Sequence, residues 1–155
     1  TLEQSNQTTY IATGETHTCA IADKKLYCWG DNSMGQLGIG NNDNQNVPKE
    51  VTLPGGVTAV SAGNNYTCAS TSTQLYCWGK NDKGQLGDGT TTNRAAPTLV
   101  GSISSVQAIQ ASGAGQHTCA VAQSSVYCWG SNGFGQLGTG NLTDSLTPKK
   151  VGTLF

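Results

Sequence analysis

Charge is scarce in this chain. Asp, Glu, Lys and Arg together make up 11% of its 155 residues, and the net charge is -1. Phosphate backbones are bound by dense Lys and Arg faces, so this balance argues against a nucleic-acid partner. The same scarcity separates the chain from charge-rich disordered segments. No apolar run approaches the roughly 18 residues of a membrane helix, so no membrane insertion is expected. No stretch sustains the apolar period of an amphipathic helix. No leader peptide opens at Thr1, and the chain is read as a mature product or a piece of something longer. What is abundant is Gly, with 21 residues, accompanied by Asn, Thr, Ser and Gln. Turn formers and β-formers with little charge predict an all-β fold with many loops.

The tetrapeptide Tyr-Cys-Trp-Gly occurs at Tyr27–Gly30, Tyr76–Gly79 and Tyr127–Gly130. Gly-Gln-Leu-Gly follows each at a constant distance, at Gly35–Gly38, Gly84–Gly87 and Gly135–Gly138. Thr-Cys-Ala precedes each, at Thr18–Ala20, Thr67–Ala69 and Thr118–Ala120, and Pro48, Pro97 and Pro148 close the set. Cys19 to Cys68 is 49 residues and Cys68 to Cys119 is 51, the extra two falling in Ala111–Gln116. A period of this size marks a solenoid or a propeller. The chain is read as one repeat domain over 1–155. Its units are about 2–50, 51–99 and 100–150, with the start of a further strand at 151–155.

Period-2 patterning around the cysteines predicts a hairpin in each unit. Setting Cys19 opposite Cys28 also sets Ala20 opposite Tyr27 and Ile21 opposite Leu26, leaving Asp23-Lys24 as a two-residue turn. The same register puts turns at Ser72-Thr73 and Gln123-Ser124. One face then carries Cys and aliphatic residues, the other Ala, Tyr and Trp. Both faces are apolar, as expected for a sheet sandwiched between neighbours.

The pattern Gly-x-x-His-Thr-x-Ala, then Tyr-x-Trp-Gly-x-Asn-x-x-Gly-Gln-Leu-Gly, then Pro-x-x-Val resembles the repeat of the regulator-of-chromosome-condensation family. It covers about Tyr10 to Val151. One departure is Tyr66, which stands where His17 and His117 stand in the other units. The resemblance implies an all-β chain of three tandem four-stranded propeller blades around a central axis. Similar propellers act as nucleotide-exchange factors, chromatin binders, photoreceptors and secreted enzyme inhibitors, all through loop surfaces. One cysteine pair per repeat points toward secreted bacterial members. An exchange-factor role does not suit a slightly acidic, three-unit chain with paired cysteines.

In the hairpin register the two cysteines of each unit sit directly opposite, close enough to bridge. The expected disulfides are Cys19–Cys28, Cys68–Cys77 and Cys119–Cys128. Each closes a short loop, stabilising by about 2.5–3 kcal/mol on the chain-entropy estimate. Three such bridges imply the periplasm, the cell surface or the outside of the cell. Zinc sites use Cys-x2-4-Cys spacing and four ligands. The spacing here is longer, and the middle unit offers Tyr66 instead of a third ligand.

Few residues suggest chemistry. His17 and His117 share one repeat position and read as hydrogen-bonded packing residues. No Ser, Asp or Cys beside them completes a triad signature. Trp29, Trp78 and Trp129 share one phase beside Gly, which reads as blade packing ahead of a stacking platform. Gly-Gln-Leu-Gly lacks the Lys-Ser/Thr ending and the following helix of a phosphate loop. Asp31-Asn32 and Asp88 lie in no twelve-residue calcium loop. The nine acidic residues recur at no shared repeat position, which disfavours a glycan-cleaving enzyme with paired carboxylates. No cofactor and no metal are expected. Asn6, Asn65 and Asn141 begin glycosylation-type triplets.

Positions that vary between the units are free to serve a partner. The pair before Gly-Gln-Leu-Gly varies, with Met34 and Phe134 as exposed apolar anchors and Lys83 beside them. The polar loops after it vary too, and offer Asn42, Asp43, Arg94, Asn141 and Asp144. The expected function is a non-enzymatic extracellular recognition module, such as an adhesin or fibre-tip domain, binding a protein or a cell-surface glycan. The alternative is a secreted inhibitor of a soluble enzyme. Propellers close with about four to eight blades, and three leave apolar faces open. Leu2, Val51, Val100 and Val151 are each one repeat apart. Copies continuing one another head to tail, or further blades of a longer chain, are therefore expected.

Overall fold

The computed structural model describes residues 8–154; Leu2 and Asn6, singled out above, lie outside them. Among the described residues the chain forms twelve strands and no helix. The first sheet holds β1 (Thr8–Thr13), β2 (His17–Ala22), β3 (Lys25–Gly30) and β4 (Gln45–Val51). The second holds β5 (Val57–Ala62), β6 (Tyr66–Thr71), β7 (Gln74–Gly79) and β8 (Arg94–Ser104). The third holds β9 (Val106–Ala111), β10 (His117–Ala122), β11 (Ser125–Gly130) and β12 (Ser145–Lys150). Each sheet is an antiparallel meander in chain order, so every blade is complete in itself. β1 lies beside β5 and β5 beside β9, which puts the first strand of each blade toward the common axis.

The central hairpins have the register read from the sequence. Cys19 faces Cys28, Cys68 faces Cys77 and Cys119 faces Cys128. All three pairs are disulfide-bonded, with Cα atoms 4.1 Å apart. No cysteine is left free. The Cys-bearing face of one blade packs on the Ala-Tyr-Trp face of the next. Cys19, Ile21, Leu26 and Cys28 meet Ala69, Tyr76 and Trp78. Cys68, Leu75 and Cys77 meet Ala120 and Trp129. Alternation along each hairpin therefore buries both faces, one against the following blade and one against the preceding one.

Of the segment 151–155, expected as the start of a further strand, residues 151–154 are described. Val151–Leu154 carry no strand. Val151 N donates to the Val126 carbonyl (2.9 Å) and Gly152 N to the Gly138 carbonyl (3.1 Å). The first of these bonds is at the position of Val51, which lies opposite Leu26 in the first blade.

The two-residue turns have different geometries. Asp23 and Lys24 (φ 50° and 61°) and Gln123 and Ser124 (φ 51° and 58°) are left-handed at both central positions. That conformation matches strand twist but disfavours residues with a side chain. At Ser72-Thr73 the Thr71 hydroxyl accepts from Gln74 N (3.2 Å), and neither central residue has positive φ. Replacing Asp23-Lys24 by Asn-Gly is expected to stabilise the protein by about 1 kcal/mol, because both residues tolerate positive φ. Urea denaturation measures this, and an unchanged or lowered midpoint contradicts it.

Candidate functional site

The loop after each Gly-Gln-Leu-Gly is built around one buried asparagine. Asn32, Asn81 and Asn132 have no exposed surface. The Asn32 Oδ1 accepts from Leu37 N (3.0 Å), and its Nδ2 donates to the carbonyls of Asn41 (2.8 Å) and Asp43 (3.1 Å). Its backbone N donates to Asn44 Oδ1 (2.8 Å). Asn81 repeats the pattern with Leu86, Thr90, Thr92 and Asn93. Asn132 repeats it with Leu137, Asn141, Thr143 and Asp144. A buried amide committed on all sides fixes each loop as a rigid piece of the rim. The repeated Trp-Gly-x-Asn was the signal for this residue. Its role stayed hidden because identity along a chain does not show what an amide bonds.

Several nominated rim residues serve this architecture. Asn141 Oδ1 accepts from Thr143 N (3.0 Å) and Asp144 Oδ1 accepts from Asn132 N (2.8 Å), so both hold the third loop. Arg94 Nε donates to Asp88 Oδ2 (2.9 Å). Burial opposes ionisation of Asp88, but hydrogen bonds from Thr90, Arg94 and Asn81 prevail and hold its carboxyl below the usual range. Asn42 Nδ2 donates to the Ser33 carbonyl (2.9 Å) while the residue stays exposed, and Asp43 is exposed beside it.

The pair position before Gly-Gln-Leu-Gly reaches toward the next blade. Met34 is half-buried where exposure was expected, its Sδ 3.7 Å from Asn93 Nδ2. Lys83 Nζ lies 3.9 Å from Asp144 Oδ2. Phe134 occupies the same position on the third blade and is 96% exposed, with Leu142 67% exposed nearby. Asn65 turns inward, its Oδ1 accepting from Gln36 Nε2 (3.2 Å).

At each junction one peptide carbonyl takes two donors from the following blade. The Gln36 carbonyl accepts from Trp78 Nε1 (2.9 Å) and from Thr67 Oγ1 (2.8 Å) of the following blade. The Gln85 carbonyl accepts from Trp129 Nε1 (2.9 Å) and Thr118 Oγ1 (2.9 Å). Gly38 and Gly87 (φ 72° and 71°) lie under those indoles. A Cβ on either would sit 2.5 Å or 2.7 Å from the indole nitrogen. Glycine is required there for its conformation and for close approach.

His17 Nε2 lies 2.8 Å from Thr67 Oγ1. The Thr67 hydroxyl gives its proton to Gln36, so His17 donates from Nε2 and its buried Nδ1 has no partner. Burial lowers the His17 pKa to about 4, with Asp31 only partly opposing. Tyr66 fills the equivalent place in the second blade, fully buried, and donates to the His117 carbonyl (2.7 Å). Burial pushes its phenol up to about 12, so it remains a donor. Folded His17 stays neutral down to about pH 4, whereas the unfolded chain takes up that proton below about 6.5. Its contribution is complete above pH 6.5 and is lost as the pH falls toward 4. The loss reaches up to about 3 kcal/mol at 1.36 kcal/mol per pKa unit. His17→Tyr is expected to remove most of this slope, with His117, also lowered by burial, supplying the remainder. Urea midpoints across that pH range measure it, and an unaltered slope contradicts the assignment.

Among the described residues no group of three or more His, Cys, Asp or Glu is placed to hold a metal. What the geometry offers is a rigid loop rim and a series of blade faces.

Comparison with known proteins agrees with this architecture. The Regulator of chromosome condensation (RCC1) repeat matches residues 23–70, 73–121 and 123–155, and a second description of the same repeat matches 9–36, 57–85 and 108–136. The chain is 45% identical over 144 residues to the human X-linked retinitis pigmentosa GTPase regulator, covering 91% of this chain and 14% of that protein. It is 29% identical over 146 residues to the Ultraviolet-B receptor UVR8 of Arabidopsis thaliana, covering 91% of this chain and 33% of that one. Prp20p of Saccharomyces cerevisiae, whose structure was described with its binding to Gsp1p and histones, superimposes with a TM-score of 0.82 at 26% identity. The match covers 95% of this chain and 39% of Prp20p. The chain thus spans a third or less of the two sequence relatives. By its repeats, its blades and these matches, the chain belongs to the regulator of chromosome condensation repeat family.

Proposed function

We propose that this chain is a non-enzymatic recognition module of an extracellular or surface-displayed protein, such as the adhesin or fibre-tip domain of a bacterial surface protein. It binds a protein or a cell-surface glycan through its loop rim. The observation that carries this reading is the division of labour in each repeat. Buried Asn32, Asn81 and Asn132 fix the loop backbones, while the outward positions differ from blade to blade. Rigid loops with variable side chains suit recognition, because little ordering entropy is lost on binding. Three disulfides suit an oxidising compartment. The low charge and the Asn, Thr and Gly richness agree with a surface-displayed domain. The family relatives are a receptor, a GTPase regulator and a protein that binds Gsp1p and histones, which supports binding ahead of catalysis.

A second reading, a secreted inhibitor of a soluble enzyme, draws on Phe134 and Leu142. Large apolar side chains this exposed are typical anchors of protein interfaces. A glycan array together with binding to intact cells separates the two. The recognition reading expects saturable binding that falls at least tenfold on substituting Asn42 and Asp43. No binding to glycans or cells, with a stoichiometric complex on one soluble enzyme lost in Phe134→Ala, overturns it.

A further inference from the structure

We propose that Asn132-Gly133 is a self-modification site, at which opening of the third rim loop lets the asparagine convert irreversibly to aspartate or isoaspartate. The reaction uses no partner but water. The Gly133 backbone nitrogen attacks Asn132 Cγ, a C–N bond forms, and the Cγ–Nδ2 bond breaks. The Gly133 amide proton leaves with Nδ2 as ammonia, and a cyclic imide remains. Water then opens the imide at either carbonyl, leaving an ordinary aspartate or one whose chain runs through the side-chain carbon. Glycine in the following position favours the attack, because no Cβ hinders the approach and the backbone turns freely. This is the one Asn-Gly pair in the sequence.

The three repeats differ here in a way the fold does not require. Ser33 and Asp82 follow the buried asparagine in the first two blades, and Gly133 follows it in the third. Gly133 is exposed, its φ is not positive, and a Cβ on it would meet nothing within 4 Å. The reasons that demand glycine at Gly38 and Gly87 are therefore missing at this position. In the first blade the Ser33 nitrogen donates to Asp31 Oδ1 (3.1 Å). Ser131 stands in the place of Asp31 in the third blade, so no carboxylate engages the Gly133 nitrogen in that way.

What restrains the reaction is the folded loop. Asn132 has no exposed surface, its Oδ1 accepts from Leu137 N (3.0 Å), and its Nδ2 donates to the carbonyls of Asn141 and Thr143, both at 3.0 Å. The leaving nitrogen is thus tied into the loop, away from water. The same bonds decide what conversion does. An ionised carboxylate has no proton to donate, so an aspartate at 132 sets a buried negative oxygen against two carbonyls. Isoaspartate also lengthens the backbone within the Trp-Gly-x-Asn segment. Neither product holds the loop as the amide does, so a single opening can disable the third rim loop while the first two keep theirs. The restraint does not depend on what lies beyond the third blade. Asn32 and Asn81 make the same bonds to their own loops with a following blade in place.

Incubating the chain at mildly alkaline pH with its disulfides intact, folded and in urea, tests this by peptide mass mapping of the NH2-to-OH exchange. The unfolded chain is expected to convert at Asn132 ahead of Asn32 and Asn81. The folded chain is expected to convert at least about tenfold more slowly, because attack waits for the loop to open. Gly133→Ser, which restores the residue of the first blade, is expected to leave the urea midpoint unchanged and to slow conversion of the unfolded chain about tenfold or more. Asn132→Asp shows the consequence, with protease cutting its loop 139–146 sooner than the same loop of the parent chain. Equal rates in the folded and unfolded chains overturn the proposal, as does unfolded-state conversion spread evenly over the three asparagines. So does an Asn132→Asp chain as resistant to protease as the parent. Recognition through the rim stands apart from this result, since its test rests on Asn42 and Asp43 of the first loop.

Discussion

One peptide carbonyl per junction organises this molecule. The Gln36 and Gln85 carbonyls each take two donors, an indole and a hydroxyl, from the following blade. A net hydrogen bond contributes about 1 kcal/mol, whereas burying an aromatic ring of 150–250 Å² contributes about 4–6 kcal/mol at ~25 cal/mol per Å². Burial of the indole therefore holds the blades together. The carbonyl fixes where the ring sits, because leaving a buried acceptor or indole N–H unpaired costs about 1–3 kcal/mol. Energy and register come from different parts of the same side chain.

The disulfides act on another level. Each links the two central strands of a single blade, and none crosses a junction. They stabilise hairpins that then present both apolar faces, but the order of the blades depends on Trp, Thr, Gln and Gly. Cys19, Cys28, Cys68 and Cys77 are fully enclosed, while Cys119 is half-buried.

The hairpins were legible in the sequence because strand pairing has a period of two and the cysteines fix its phase. Once Cys19 faces Cys28, each neighbouring pair follows, down to the turn residues. The rim was less legible. Met34 looked like an exposed anchor because its unit varies there, yet the next blade covers it from a segment 59 residues away. Asn141 and Asp144 are exposed polar loop residues, as expected, and each also has an oxygen that accepts from a backbone amide of its own loop, which the sequence pattern does not show. Variation between repeats marks freedom from the fold only where no neighbouring blade reaches the position. The glycines of Gly-Gln-Leu-Gly have positive φ, as a turn-forming composition allows. That they also admit a ring from another blade is a long-range fact with no local signal.

The most direct test of the junction compares two alanine substitutions on one loop. Gly38 and Gly40 both have positive φ (72° and 84°), so alanine strains the backbone similarly at each. At Gly38 the new Cβ would lie 2.5 Å from the Trp78 indole nitrogen, whereas at Gly40 it meets nothing within 4 Å. Denaturant unfolding of the two variants is expected to show a loss of about 1 kcal/mol for Gly40→Ala. Gly38→Ala is expected to lose about 1–3 kcal/mol more, from displacement of the indole. Equal losses would contradict the claim that the seated tryptophan holds one blade on the next.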